Sequence, residues 1–505
     1  MGLAFKYPRL FCSLNFICFG LGCVVQAQSL EIINSDALYM RSTGGEQHKV
    51  LSGNVQLKDK DLLIFCDSAI LFEERKYLEA IGHIYIEKEA SIKLRCDSLV
   101  FNQNTNNAIF KNNVRLNRDN LHLTTKEILY NDKNGIAFFN TESNITNGEF
   151  KINCQKGFYN TKTEKAHFIN KVNLTSKDIN LKTDTLIYSK SDESYVFQGK
   201  SEILKSDSKA KCYKGFYNPK TEASILEDSA VIEHIDFYLS ADYIELNDID
   251  SSAKANTQVL WMDSSRETHI YSQNAYYSRK NKSSRFFNQV LLLNTQNSDS
   301  LYIMGDTLEY SDKDSSMTFY PNAYIYQDKN IARCDTLIYS SINLEIALIG
   351  NPRLQMDSTY LSSDSLWIYM RDKNTLDRLK MAQNSWILNL NKQGFYNQIK
   401  SEKSIGKFKN KKLNKMLCYI DAESLYFAEN EKGEFIGYNK SECDSISIKF
   451  NDNKISQVNF LGTPKSSFNP IDKKNRSSLQ LKGLQKEEID NILISKRLKL
   501  YQIRN

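Results

Sequence analysis

The sequence predicts an all-β fold, a β-jellyroll or solenoid assembled from repeats of about 29 residues. Three observations predict it. A small residue, in most copies followed by Asp, recurs at Cys66, Cys96, Thr125, Cys154, Thr183, Cys212, Ala241, Ser272, Gly305, Cys334 and Ser363. Two aromatic series keep step with it: Phe110, Phe139, Phe168 and Phe197, closing at Leu226, and Phe101, Tyr130, Tyr159, Tyr188 and Tyr217, closing at Leu246. Between these markers apolar and polar residues alternate with the period of two that marks half-buried strands.

Residues 1–27 precede the repeats and read as a secretory signal. Lys6 and Arg9 supply a basic start, Phe11 to Val25 an uncharged apolar run, and Val25-Gln26-Ala27 a small-residue cleavage site. Cys23 would be acylated in a lipoprotein signal. Gly20 stands where such signals carry a large aliphatic residue, so cleavage before Gln28 is the expectation.

The repeat body is expected over 28–370. Val55, Leu57, Leu62 and Ile64 lead to Cys66, and Val114, Leu116, Leu121 and Leu123 lead to Thr125 in the same phase. The polar interruptions, such as Lys58-Asp59-Lys60-Asp61 and Asn117-Arg118-Asp119-Asn120, have turn composition. Each unit therefore contributes about two strands. Over 371–462 the register weakens into a degenerate continuation, with Cys418-Tyr419-Ile420-Asp421 and Cys443-Asp444-Ser445 as eroded copies. Residues 463–505 read as a linker and tail, with a short helix expected over Glu487–Lys499.

Composition excludes more than it selects. Lys and Arg total 66 against 60 Asp and Glu, a net +6, so bulk charge chooses no partner, and an exported chain is not expected to meet nucleic acid. The one charge run, at 400–415, holds Lys400, Lys403, Lys407, Lys409, Lys411, Lys412 and Lys415 against Glu402. It is either a solvated loop or a contact for anionic headgroups or sugar phosphates. The recurring Cys alternates with Thr, Ala, Ser and Gly, so the slot selects small size and the thiols are expected free and buried; metal ligands would converge at closer spacing. The Asp beside the slot is expected to accept a local backbone N–H at a corner. Six scattered His, with no nucleophile elbow and no Gly-rich phosphate loop, give no catalytic, metal or cofactor site. The chain is not expected to be an enzyme.

The unit Ser52-Gly53-Asn54-Val55-Gln56-Leu57 leading to Cys66-Asp67, and Ile81-Gly82-His83-Ile84-Tyr85-Ile86 leading to Cys96-Asp97-Ser98-Leu99, resembles the OstA-like family of periplasmic lipopolysaccharide-transport proteins. The likeness is strongest over 30–130 and persists by period to about 370. It implies an incompletely closed β-jellyroll in the periplasm, with or without attachment to the outer membrane, whose interior shelters lipopolysaccharide or a related glycolipid without chemistry. It implies partners as well: other OstA-like jellyrolls joined through edge strands, and an outer-membrane assembly barrel. The groove would be lined by Phe110, Leu116, Phe139, Ile145, Phe168, Leu174 and Phe197. Two other classes fit an exported repeat stack: a β-helix polysaccharide-active enzyme, and a structural cell-surface protein with a filled core.

Overall fold

The computed structural model describes residues 30–484, apart from 60–61, 89–91, 297–299, 328–329, 373–374, 392–393, 411, 431–434, 452–453 and 471–478. The expected signal at 1–27 and the expected helix at Glu487–Lys499 lie outside the described residues. All the described secondary structure is strand. Two compact units divide it: residues up to Ile235 with Ser240–Ala253, and Asp236–Leu239 with everything from Lys254.

In the first unit, long strands follow one another as antiparallel hairpins. Glu46–Asp59, Leu62–Phe72, Tyr77–Lys88, Ile92–Asn102, Asn107–Arg118 and Leu121–Asn131 each pair with the next. Every described pairing in the chain is antiparallel, which rules out the parallel coils of a β-helix. That alternative architecture falls.

Each strand bends at its middle. Ser52 pairs with Ser68 and Val55 with Cys66, so Gly53 and Asn54 together face Asp67 alone. The same two-against-one slip recurs at Ile81/Ile84, Lys111/Val114 and Ile169/Val172. The extra residues take positive φ: Gly53 and Asn54, Gly82 and His83, Asn112 and Asn113, Asn170 and Lys171. Such a bulge bends a strand and tightens its twist. Glycine and asparagine occupy it because they adopt the left-handed conformation at least cost.

In several repeats the Asp braces the bulge of the following strand. Asp67 Oδ2 lies 2.8 Å from His83 Nδ1, and Asn113 Nδ2 donates to Asp97 at 2.7 Å. The Lys200 N–H donates to Asp184 Oδ2 at 3.1 Å. The expected backbone N–H at a corner is the partner of Asp184, though on the next strand, whereas Asp67 and Asp97 take side-chain partners. The carboxylate reaches across to the neighbouring strand's corner. A Cβ on Gly82 would sit 2.2 Å from Asp67 Oδ2, so glycine there is required by close approach as well as by φ.

The second unit continues the meander from Thr268–Ser278 to Lys465–Asn469. Over 371–462 its strands lengthen: Thr375–Leu390, Tyr396–Lys409, Lys412–Glu429 and Phe435–Asn451 run 14 to 18 residues. Longer strands stretch the spacing of corners, which is why the period fades without the fold ending. Cys418 is not a copy of the small slot. Its strand carries the positive-φ pair Ile420 and Asp421, so it belongs to the bulged half of a unit. The slot falls instead at Ser401, whose hydroxyl donates to Lys403 O at 3.0 Å, and at Cys443.

The tail from 463 is more ordered than a linker where it is described. Lys454–Leu461 covers only part of the long Phe435–Asn451 edge, and Lys465–Asn469 pairs along the remainder. Further on, the Leu481 N–H donates to Gln398 Oε1 at 2.8 Å, and Gln398 Nε2 donates to Leu479 O at 3.2 Å. Leu481 packs with Trp386, Leu425 and Phe427.

Candidate functional site

The residues singled out as a groove fall into two columns that flank the corner. In one, Leu94, Leu116, Leu123, Ile145, Ile152, Leu174 and Leu181 are successive direct cross-strand partners. In the other, Leu99 pairs with Phe110 and Phe110 with Ile128. Beyond them run Phe139, Gly157, Phe168, Leu186, Phe197, Gly215 and Leu226, again partner to partner. Between the columns lie the corner pairs Val114–Thr125, Val172–Thr183 and Ser201–Cys212.

The second aromatic series forms a third column with an alternation of size. Phe101, Ala108, Tyr130, Ala137, Tyr159, Ala166 and Tyr188 succeed one another, a large ring against a methyl at each step. Alternation lets rings interdigitate at interior density. Where two rings meet, Tyr188 and Tyr195 sit with centroids 5.1 Å apart.

The structure brings all seven groove residues into one apolar interior and closes it. Ile145 and Phe197 are 0% exposed, Phe168 1%, Phe110 and Leu174 2%, Leu116 and Phe139 3%. The outward neighbour Arg115 is exposed and Asn173 half-buried. A recess beside the column is lined by His122, Asn147, Glu149, Phe150, Lys151 and Asn173, a mixed polar and apolar surface.

Sequence reasoning missed the seats of the phenylalanines. A Cβ on Gly157 would lie 2.6 Å from Phe139 Cζ, and one on Gly215 would lie 1.9 Å from Phe197 Cε2. Each ring rests on bare backbone of the next strand. The signal was legible: Lys156-Gly157-Phe158-Tyr159-Asn160 and Lys214-Gly215-Phe216-Tyr217-Asn218 are the same five residues two repeats apart.

The small slot proves to select a donor as well as size. Cys96 Sγ donates to Ser98 O at 3.4 Å, Cys334 Sγ to Thr336 O at 3.3 Å, Thr183 Oγ1 to Thr185 O at 3.3 Å, and Ser272 Oγ to Asn274 O at 2.9 Å. Each closes the same two-residue step on its own strand. Ala241 and Gly305 forgo the bond. The cysteines are free, and Cys66, Cys96, Cys154, Cys212 and Cys334 are buried. Burial pushes each of these five thiols up to about 12, far from the depressed range of a nucleophile.

Residues 27–184 match the family model described as OstA-like protein. The match covers 158 of the 505 residues. No curated protein matches the chain. Among solved structures, the chain is similar to LptH from Pseudomonas aeruginosa, described as the LptA-homologous periplasmic component of a lipopolysaccharide transport device. That likeness has 15% identity and a TM-score of 0.19, over 21% of this chain and 75% of LptH. The WD40 domain of SCAP from fission yeast is matched over 88% of this chain and 91% of its own, at 5% identity and a TM-score of 0.10. At these TM-scores neither likeness bears on how the chain folds. The matched residues hold the bulge-and-Asp corners at Asp67 and Asp97 and six of the seven groove residues, Phe110 to Leu174.

Proposed function

We propose that the chain is a non-enzymatic carrier of lipopolysaccharide or a related glycolipid across the periplasm, holding acyl chains within its apolar interior. The observation that carries this is the unbroken apolar column through Leu116, Ile145 and Leu174, set in the residues that match the OstA-like family model. Removing a twelve-carbon chain from water is worth about 9 kcal/mol, at roughly 0.8 kcal/mol per methylene. An interior of aliphatic and aromatic side chains supplies that continuously, so the lipid needs a path and no chemistry. Since the columns are buried side chain against side chain, loading requires the two arms of the bent strands to part and the side chains to repack around the guest.

Residues 1–27 act as the export signal in this reading. Joining to other OstA-like jellyrolls, or to an outer-membrane assembly barrel, would use the first edge. Among the described strands, Glu31–Asn34 and Ala37–Thr43 both pair with Glu46–Asp59 alone. They expose Ile33, Leu38, Tyr39 and Met40 at 48–60%. An edge of this kind accepts a further strand. Depleting the protein in its native cell should strand newly made lipopolysaccharide at the inner membrane on fractionation. Normal arrival at the cell surface would overturn the proposal.

A further inference from the structure

Outside the interior, one sheet face lines up four like charges on successive strands, where like charges elsewhere meet as single pairs such as Arg95 with Arg115 and Arg333 with Arg353. Like charges directly opposite on neighbouring strands are destabilising, and the first unit mostly sets opposite charges face to face, with Arg95 opposite Arg115 as an exception. There Glu87 faces Lys93, Lys111 faces Glu127, and Lys182, Glu202 and Lys211 alternate. In the second unit Arg378 faces Lys407, Lys407 faces Lys415, and Lys415 faces Lys449. All four are exposed, and none has an ion-pair partner among the described residues.

The register fixes their direction. The alternate positions Leu379, Met416 and Ile448 point inward at 0% exposure, so the four cations stand on the outer face, in a row of about 14 Å across four strands. The adjoining outer columns add Lys380 and Lys403; across the four strands of the row these columns contain no carboxylate, and Glu345 enters the Arg378 column only beyond Tyr369. Of the neighbouring acids, Asp377 beside Arg378 is held by Arg371 at 3.1 Å, and Glu402 flanks Lys403.

We propose that this face docks the protein on an anionic lipid bilayer surface. The bilayer is favoured over a soluble polyanion by what stands between the cations. Lys380 Nζ lies 5.6 Å over the Trp367 ring and Arg378 4.7 Å over Tyr369. Leu417 and, at the end of the Lys403 column, Leu461 are 36% and 44% exposed. Aromatic rings and aliphatic tips among cations suit the headgroup layer, where Trp and Tyr settle and Lys and Arg gain from surface potential. A long-stemmed cation over a ring can swing toward a phosphate without leaving an apolar surface bare.

The test is sedimentation of the full mature chain with vesicles of phosphatidylglycerol and phosphatidylcholine, against vesicles of phosphatidylcholine alone. Binding should require the anionic lipid and fall steeply with salt. The variant Lys407→Glu with Lys449→Glu turns the row into an alternating one like those of the first unit, so it should fold at least as stably. It removes four units of charge, and at roughly fivefold per charge binding should drop on the order of 500-fold. Lys133→Glu with Lys177→Glu makes the same change in net charge at exposed turn positions of the first unit and should bind like the parent. Equal binding to both vesicle types, or equal loss in both variants, would overturn the proposal. So would full competition by a soluble phosphorylated saccharide at equal phosphate.

Discussion

The closure of the interior makes a sharp demand on Gly215. Its Cα lies under the Phe197 ring, so that an added methyl would meet ring carbons at 1.9 and 2.0 Å. Phe197 is 0% exposed, and its strand partners Leu186 and Gly215 hold it from both sides, so the ring has nowhere to retreat. Overpacking of this kind costs about 1–3 kcal/mol. Gly305 provides the internal comparison. It occupies the small slot of its own unit, and an added Cβ would meet Phe319 at 3.4 Å, an ordinary contact. Gly305→Ala should be neutral or stabilise by up to about 1 kcal/mol through the unfolded chain. Urea unfolding of both variants supplies the measurement, with midpoints compared at constant slope. The double variant Gly215→Ala with Phe197→Leu should recover part of the loss, because the smaller side chain frees the space. If Gly215→Ala unfolds at the same midpoint as Gly305→Ala, the ring does not rest on that backbone and the interior is not closed.

Asp184→Ala should destabilise by about 1–2 kcal/mol, since it leaves the Lys200 N–H without its acceptor; urea unfolding reads this, and a loss no larger than for an exposed turn Asp would refute the corner brace. The hydrogen bond and charge of Asp67 raise the His83 pKa. A raised folded value means the pair adds stability below the ordinary imidazole pKa and loses it as pH rises through the folded value. NMR titration should therefore show His83 titrating above 6.5 and returning to the ordinary range in Asp67→Asn.

What the sequence made legible follows from periodicity. Phe110, Phe139, Phe168 and Phe197, and likewise Leu116, Ile145 and Leu174, follow one another at one-repeat intervals, and alternation alone sets them on one face. What it hid depends on strand-to-strand geometry. The Asp67–His83 contact joins a residue to the corner of the next strand, and no local rule links a carboxylate to a bulge 16 residues away. The donor role of the small slot was masked by Ala241 and Gly305, which share its position without the bond. Ser401 escaped notice because the strands around it outgrew the repeat. The charge run at 400–415 was visible, but its meaning lay in register: Arg378 and Lys449, far away in sequence, complete the row.

The central claim is that acyl chains travel through the interior, and a photo-crosslinking residue tests it most directly. Placed at Leu116, Ile145, Phe168 or Leu174 in cells, one position at a time, it should capture lipopolysaccharide. At Arg115 and Asn173, one residue away on the opposite face, it should capture none. The comparison of Leu174 with Asn173 is the most stringent, because the two share a strand, a repeat and a depth in the sheet. Capture at Leu174 and not at Asn173 is the predicted result. Equal capture at both, or capture at neither while lipopolysaccharide still reaches the surface, would contradict a carrier and leave a filled structural core.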